Sequence, residues 1–129
     1  MSRMTQVILE GVSLPMSTGD KYSCWEEMHT VDLVMADRSM VREVPDKFKV
    51  WRARYSFDLL DNETHLAALK ILRQGEAFQA AVLPDNGNEM IVSKFFCVSL
   101  TQATFAFADN GEAVWHNLAF ELREEEPHA

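Results

Sequence analysis

Apolar and polar residues alternate along most of this chain with a period of two, and a helical repeat interrupts the alternation once, near the middle. Residues 7–14 (VILEGVSL) are β-branched and broken by Gly11, and Pro15 with the turn-forming Ser17-Thr18-Gly19-Asp20 closes them. Residues 22–27 are ambiguous. Residues 30–36 (TVDLVMA) set Val31, Leu33 and Met35 against Asp32 and Val34, which predicts a strand with one wet face. Residues 37–46 mix charges with Met40, Val41, Val44 and Pro45 at no sustained period, which predicts a long connection.

Residues 48–59 carry the clearest β pattern. Phe48 and Val50 alternate with Lys47 and Lys49, and then Trp51, Ala53, Tyr55, Phe57 and Leu59 alternate with Arg52, Arg54, Ser56 and Asp58. The apolar phase therefore flips between Val50 and Trp51. Such a flip requires a β-bulge or a strand whose halves face different layers, and it predicts burial of both Phe48 and Trp51.

The helix is expected over 61–74. Asp61 or Asn62 can cap its first turn, Glu63 suits the positive end of its dipole, and Gly75 supplies a left-handed stop. His65, Ala68, Leu69 and Leu72 form one stripe, widened by Leu66 and Ile71. A strand over 77–83 follows, then a turn at Pro84-Asp85-Asn86-Gly87-Asn88. Residues 90–100 are apolar on both faces, with Val92, Phe96, Val98 and Leu100 on one and Ile91, Phe95 and Cys97 on the other, as in a central strand. Residues 101–108 alternate, Asp109-Asn110-Gly111 turns the chain, and residues 112–123 put Leu118, Phe120 and Leu122 inward. This order predicts an α+β fold: a mostly antiparallel β-sandwich or open barrel with one α-helix between two groups of strands. Residues 1–123 are expected to form a single β-rich domain and the acidic tail 124–129 to fray.

Composition narrows the partners. The 129 residues hold 12 Lys and Arg against 20 Asp and Glu, a formal charge of -8 that opposes a nucleic-acid backbone or an anionic membrane as principal partner. At this length folding removes roughly two thirds of the unfolded chain's surface from water, so one core suffices without a metal or staple. No signal-like or membrane-spanning apolar run occurs, which predicts a cytosolic protein. Cys24 and Cys97 lie far apart, outside any zinc-like spacing, and read as free thiols.

Catalytic constellations are absent or weak. The glycine-rich phosphate loops, the nucleophile elbow and the HExxH zinc motif are all missing, so neither a cofactor nor a metal is expected. His29, His65, His116 and His128 are scattered singly, and His65 and His116 fall on apolar phases where a structural histidine is the simpler reading. Glu26-Glu27 and Glu124 to Glu126 read as solvated charge. Half of the basic residues (Arg38, Arg42, Lys47, Lys49, Arg52 and Arg54) cluster around Trp51 and Tyr55, but in a strand those aromatics point away from the arginines and into the core.

The segments DLVMADRSM, WRARYSFDLL, NETHLAALKILRQ, EAFQAAVLP, FFCVSL and VWHNLAFELRE, in that order over about residues 30–123, resemble the small prophage proteins encoded among tail genes of Gram-positive bacteria. That family is similar in outline to phage tail-tube, distal-tail and baseplate-hub domains, β-sandwiches flanked by one helix that assemble into rings. Residues 1–29 have no counterpart in it, and the connection after Asp37-Arg38-Ser39 is shorter than in the family and lacks the glycines found there. The resemblance implies a non-enzymatic virion structural protein, present in the host cytoplasm during assembly and then in the tail, whose partners are its own copies and other tail proteins. Charge asymmetry adds a candidate head-to-tail surface, with Met35, Arg38, Met40, Val41, Arg42 and Val44 on one side and Glu124, Glu125 and Glu126 on the other. The competing expectation is a small-molecule-binding barrel whose interior is lined by Phe57, Phe96, Phe107 and Phe120. An enzyme with a dispersed site is a third.

Overall fold

The computed structural model describes residues 5–17, 21–28, 31–34, 40–43 and 47–128. Among them the strands are β1 (Val7–Leu9), β2 (Val12–Ser13), β3 (Tyr22–Met28), β4 (Val31–Val34), β5 (Met40–Glu43), β6 (Lys49–Asp61), β7 (Phe78–Val82), β8 (Ile91–Thr101), β9 (Thr104–Asp109) and β10 (Glu112–Glu124), with α1 (Asn62–Leu72) between β6 and β7. Every described pairing is antiparallel. The main sheet runs β2-β1-β7-β8-β10-β6-β3, with β9 also on β10, while β4 and β5 form a separate two-stranded ribbon. The fold is thus α+β, an open antiparallel sheet with one helix, as the strand and helix periods predict.

Two tight turns explain two of the sequence signals. Glu10-Gly11 and Asn110-Gly111 each place both residues at positive φ (45° and 86°, 51° and 82°), the handedness that matches the twist of a hairpin. The interruption at Gly11 is therefore the turn between β1 and β2 rather than a flaw in one strand. The ambiguous segment becomes β3, because its residues pair one by one with β6 from Tyr22 opposite Tyr55 to Met28 opposite Lys49. The expected connection over 37–46 contains β5, which pairs β4.

One face of the sheet is concave and holds the core. Val7 and Leu9, Phe78, Ala80 and Val82, Phe95, Leu118, Phe120 and Leu122, and Ala53 and Tyr55 follow one another strand by strand around it, all buried. The helix lies across that face. Asp61 caps it by accepting from Thr64 N at 3.1 Å, Gly75 follows its last turn at φ 81°, and His65, Ala68, Ile71 and Leu72 are buried. Leu66, expected to widen the stripe, is 56% exposed because the sheet meets a narrower face. Hydrogen bonds join the two wings of the curved sheet: the Tyr22 hydroxyl donates to Leu83 O and the Tyr55 hydroxyl to Pro15 O, each at 2.6 Å. Ser17 Oγ donates to Ser56 O, and the Gln6 amide binds both backbone groups of Ser17 at 2.8 Å.

The phase change expected at Val50-Trp51 is not a bulge. Glu27 opposes Val50 and Glu26 opposes Trp51 without a break, and both β6 residues are buried, on opposite faces of a strand covered on each side. Phe48 is half-buried, on the Val50 face. The side-chain phase of β6 changes further along, between Phe57 and Leu60: Leu60 is buried, whereas Leu59, expected inward, is 45% exposed. Its partner β10 changes phase at the same level, where Asn117 takes φ 62°. True bulges fall elsewhere. Glu121 opposes Ser99 and Leu122 opposes Cys97, so Val98 is the extra residue in β8; by the same count Ala106 is extra in β9. The Val98 bulge moves the inward phase of β8 from Ile91, Phe95 and Cys97 to Leu100, while Val92 and Val98 are exposed.

The tail expected to fray departs from that expectation. Glu124 ends β10 in a buried position, and His128 pairs with Lys49 of β6. Backbone hydrogen bonds from Phe48 and Lys49 hold it there, so the segment has something to pair with that its own composition does not reveal.

Two pairs of substitutions check the phase of β6 and its cause. Leu60→Ala is expected to cost about 2–5 kcal/mol in denaturant unfolding while Leu59→Ala stays within about 0.5 kcal/mol; equal effects would place both leucines alike. At the left-handed position, Asn117→Val should cost about 1–2 kcal/mol and Asn117→Gly close to nothing, measured the same way.

Candidate functional site

Of the described side chains that sequence singled out for chemistry, Glu26, Glu124 and His128 come together, the imidazole 2.7 Å from each carboxylate, while Cys24, Cys97, His65 and His116 stand apart from them. Among the described residues no group of three or more His, Cys, Asp and Glu is arranged to hold a metal. Cys24 and Cys97 are free thiols. Burial pushes the Cys24 thiol up to about 12, and burial also raises Cys97, so neither is activated as a nucleophile. Trp51 and Tyr55 are buried in the core, as the packing reading of the basic run requires, and Arg52 of that run lies between Glu27 and Glu121 at 3.2 and 3.0 Å. No described helix is long and apolar enough to cross a membrane.

The histidines have separate fates. His29 lies outside the described residues, and His116, expected on an inward phase, is exposed because β10 shifts phase beside it. His65 is buried and stacks on Trp115, ring centres 4.5 Å apart; Trp115 in turn donates from Nε1 to Asn62 Oδ1 at 3.1 Å and meets the edge of Phe105. His65 Nδ1 has no hydrogen-bond partner. This cluster anchors the base of the β9–β10 hairpin to the helix.

The barrel reading needs Phe57, Phe96, Phe107 and Phe120 around one cavity. They do not surround one: Phe120 is buried in the core, Phe107 is 49% exposed on the hairpin, and Phe96 opposes Arg123 on the convex face. The concave face is filled by side chains, and the sheet stays open.

The outer features are ribbons. Beyond the end of β8, β9 and β10 run on as a hairpin whose β9 strand is exposed along nearly its whole length. Phe105 and Phe107 are 59% and 49% exposed, and the Ala106 bulge sends them to opposite faces, so no single surface of the body can cover both. The β4–β5 ribbon sets Val34 opposite Met40, Leu33 opposite Val41 and Asp32 opposite Arg42. Met35, Arg38 and Val44 of the expected contact surface lie outside the described residues. On its acidic side Glu126 is exposed and Glu125 half-buried, whereas Glu124 is buried, accepting from Ser93 Oγ at 2.6 Å and from Trp51 N at 3.3 Å. Glu124 is therefore a structural carboxylate, and the rest of the acidic run is what faces outward.

Known structures share this arrangement. A chain of the virion of a native gene transfer agent (GTA) particle superposes with a TM-score of 0.59 at 15% identity, covering 97% of this chain and 95% of that one. A chain of the tail of an empty GTA particle, refined with helical, C6 symmetry, gives 0.57 at 16% identity with the same coverage. The chain has the fold of these particle chains. No family model matches the sequence, and no curated protein does. The fold implied by the order of segments is thus matched over 97% of the chain.

Burial holds the His65 imidazole below its ordinary value of 6.5, and Arg73 adds to the effect. A group depressed in the folded state stabilises above its unfolded value and loses that contribution as pH falls through the folded one. Between about pH 7 and about pH 5 the wild-type chain should therefore lose stability relative to His65→Phe in parallel denaturation series. An unchanged difference would show that the ring accepts its proton without cost.

Proposed function

We propose that this chain is a non-enzymatic structural protein of a phage-like tail, acting in tube or baseplate assembly by self-association. The observation that carries the reading is the end-to-end match to a chain of a C6-symmetric GTA tail, in which 97% of this chain and 95% of that one superpose. A helical tail of that symmetry repeats its subunits six to a level, and a subunit of the same fold suits a ring or stack of its own copies beside other tail proteins. A filled core accords with a role in which surfaces rather than a pocket do the work. The host cytoplasm, where copies accumulate before assembly, and the finished tail are its proposed locations, and a prophage its proposed source.

Two ribbons are the proposed contact elements. The first is β4–β5 with Met40, Val41 and Arg42 and the flanking Met35, Arg38 and Val44; Glu125 and Glu126 offer the opposite charge on the far side of the molecule's sequence. The second is the β9–β10 hairpin, whose Phe105 and Phe107 present apolar area that desolvation by a neighbour would stabilise.

Sedimentation at high protein concentration across a salt series tests this. Association should strengthen at low salt, weaken about tenfold in the Arg38→Glu, Arg42→Glu double variant, and weaken by a similar factor in Phe107→Ser. A chain that stays monomeric under every condition tried would overturn the reading.

A further inference from the structure

Residues 125–128 turn back from β10 and lay His128 on β6. Phe48 N and Lys49 N donate to His128 O at 3.1 and 2.9 Å, His128 N donates to Lys49 O at 2.7 Å, and Glu125 N donates to Lys94 O at 2.8 Å. The imidazole lies flat on Trp51, ring centres 5.6 Å apart and planes 19° from parallel. Its Nδ1 is 2.7 Å from Glu124 Oε1 and its Nε2 is 2.7 Å from Glu26 Oε2. Both carboxylates are held from behind: Ser93 Oγ donates to Glu124 Oε2 at 2.6 Å, and Asn86 Nδ2 donates to Glu26 Oε1 at 3.4 Å.

This geometry selects one protonation state. A neutral imidazole has one N–H, so one of its nitrogens would turn a lone pair toward a carboxylate oxygen at hydrogen-bond distance. The imidazolium donates at both nitrogens, to acceptors from two different strands, and its charge separates two carboxylates that would otherwise repel. The groups facing the ring are Glu26 from β3, Glu124 from β10, and from β6 the Trp51 ring and the Lys49 backbone; the Lys49 ammonium is turned aside over the Phe48 ring.

We propose that His128 is a protonation-controlled latch: the doubly protonated ring pins residues 125–128 to the sheet, and loss of one proton releases them. Release uncovers Trp51 and frees the Phe48 and Lys49 amides, which opens a stretch of strand edge. It also removes one wall, Glu125 and Glu126, from a groove of 520 Å³ otherwise lined by Gln79, Val92, Ser93 and Lys94. Burial by itself lowers the basicity of the ring, but its hydrogen bonds to Glu26 and Glu124 outweigh that and leave it raised above 6.5. A raised group stabilises fully below its unfolded value and loses that contribution as pH rises through the folded one, so the latch is closed on the acid side and opens toward alkaline pH.

The inference does not depend on the tail reading, and it is tested on dilute chain below any self-association. Histidine-resolved NMR titration gives the His128 midpoint, and amide exchange gives the protection of Phe48 and Lys49, with core amides of β10 as a control for folding. The midpoint should lie above 6.5, and protection at Phe48 and Lys49 should fall about tenfold or more through it while the β10 amides stay constant. His128→Gln, which can fill one of the two contacts without charge, should leave those two amides weakly protected at every pH. Glu26→Gln should lower the midpoint. A His128 midpoint at or below 6.5, or protection that follows neither pH nor the His128→Gln change, overturns the latch.

Discussion

The fold depends on β10. Along one edge it pairs β6 from Val114 to Arg123; along the other it takes β9 first and β8 afterwards, so strands that are otherwise separate are joined through a single ladder. On one side of it lie β8, β7, β1 and β2, and on the other β6 and β3. No described strand pair links the two wings except through β10, and the wings are close enough for hydrogen bonds only because the sheet curls. Tyr22 and Tyr55 sit in the β3–β6 wing and donate to Leu83 O and Pro15 O at the ends of the other, where an unpaired hydroxyl would be costly to bury.

A sheet curled this tightly has to break its own alternation, and each break carries a physical signature. The extra residue Val98 in β8 and the extra residue Ala106 in β9 lengthen the strands on one side of β10 relative to it. Opposite them, Asn117 enters the left-handed region and the inward phase of both β10 and β6 moves by one residue without a change in their register. Asn is among the few side chains that adopt this backbone readily, because its amide can hydrogen-bond locally. The bends are thus concentrated where β10 passes from the body into the hairpin, and His65 stacked on Trp115 fixes the helix at the same place.

What sequence reveals and what it hides follows the range of the forces involved. The helix is legible because its determinants are local: Asp61 caps Thr64 three residues away, and Gly75 stops it. Strand β6 is legible as a strand for the same reason. Its inward face is not, because Leu59 and Leu60 are adjacent and equally apolar, and the phase changes beside Asn117 of the neighbouring strand, where the backbone turns left-handed. Val50 next to Trp51 misleads in the opposite way: two buried neighbours suggest a bulge where the strand is simply covered on both faces. The acidic run at 124–126 looks uniform for the same reason. Glu124 is set apart from Glu125 and Glu126 by Ser93, 31 residues away, and by a histidine that also reaches Glu26, 102 residues away.

The two buried or half-buried histidines oppose each other in their response to acid, and that opposition has a structural logic. His65 is surrounded by aromatic and aliphatic groups with Arg73 as its charged neighbour, so its neutral form is the folded form. His128 lies between two carboxylates, so its charged form is the folded form. One secures the helix end of the molecule and the other the end where β6 begins; the first weakens toward acid and the second toward alkali. The two windows lie on opposite sides of 6.5, so a bulk unfolding curve loses stability toward acid through His65 and toward alkali through His128. Each end of the fold thus loosens on its own side of 6.5, and β10, which passes from Trp115 to Glu124, touches both.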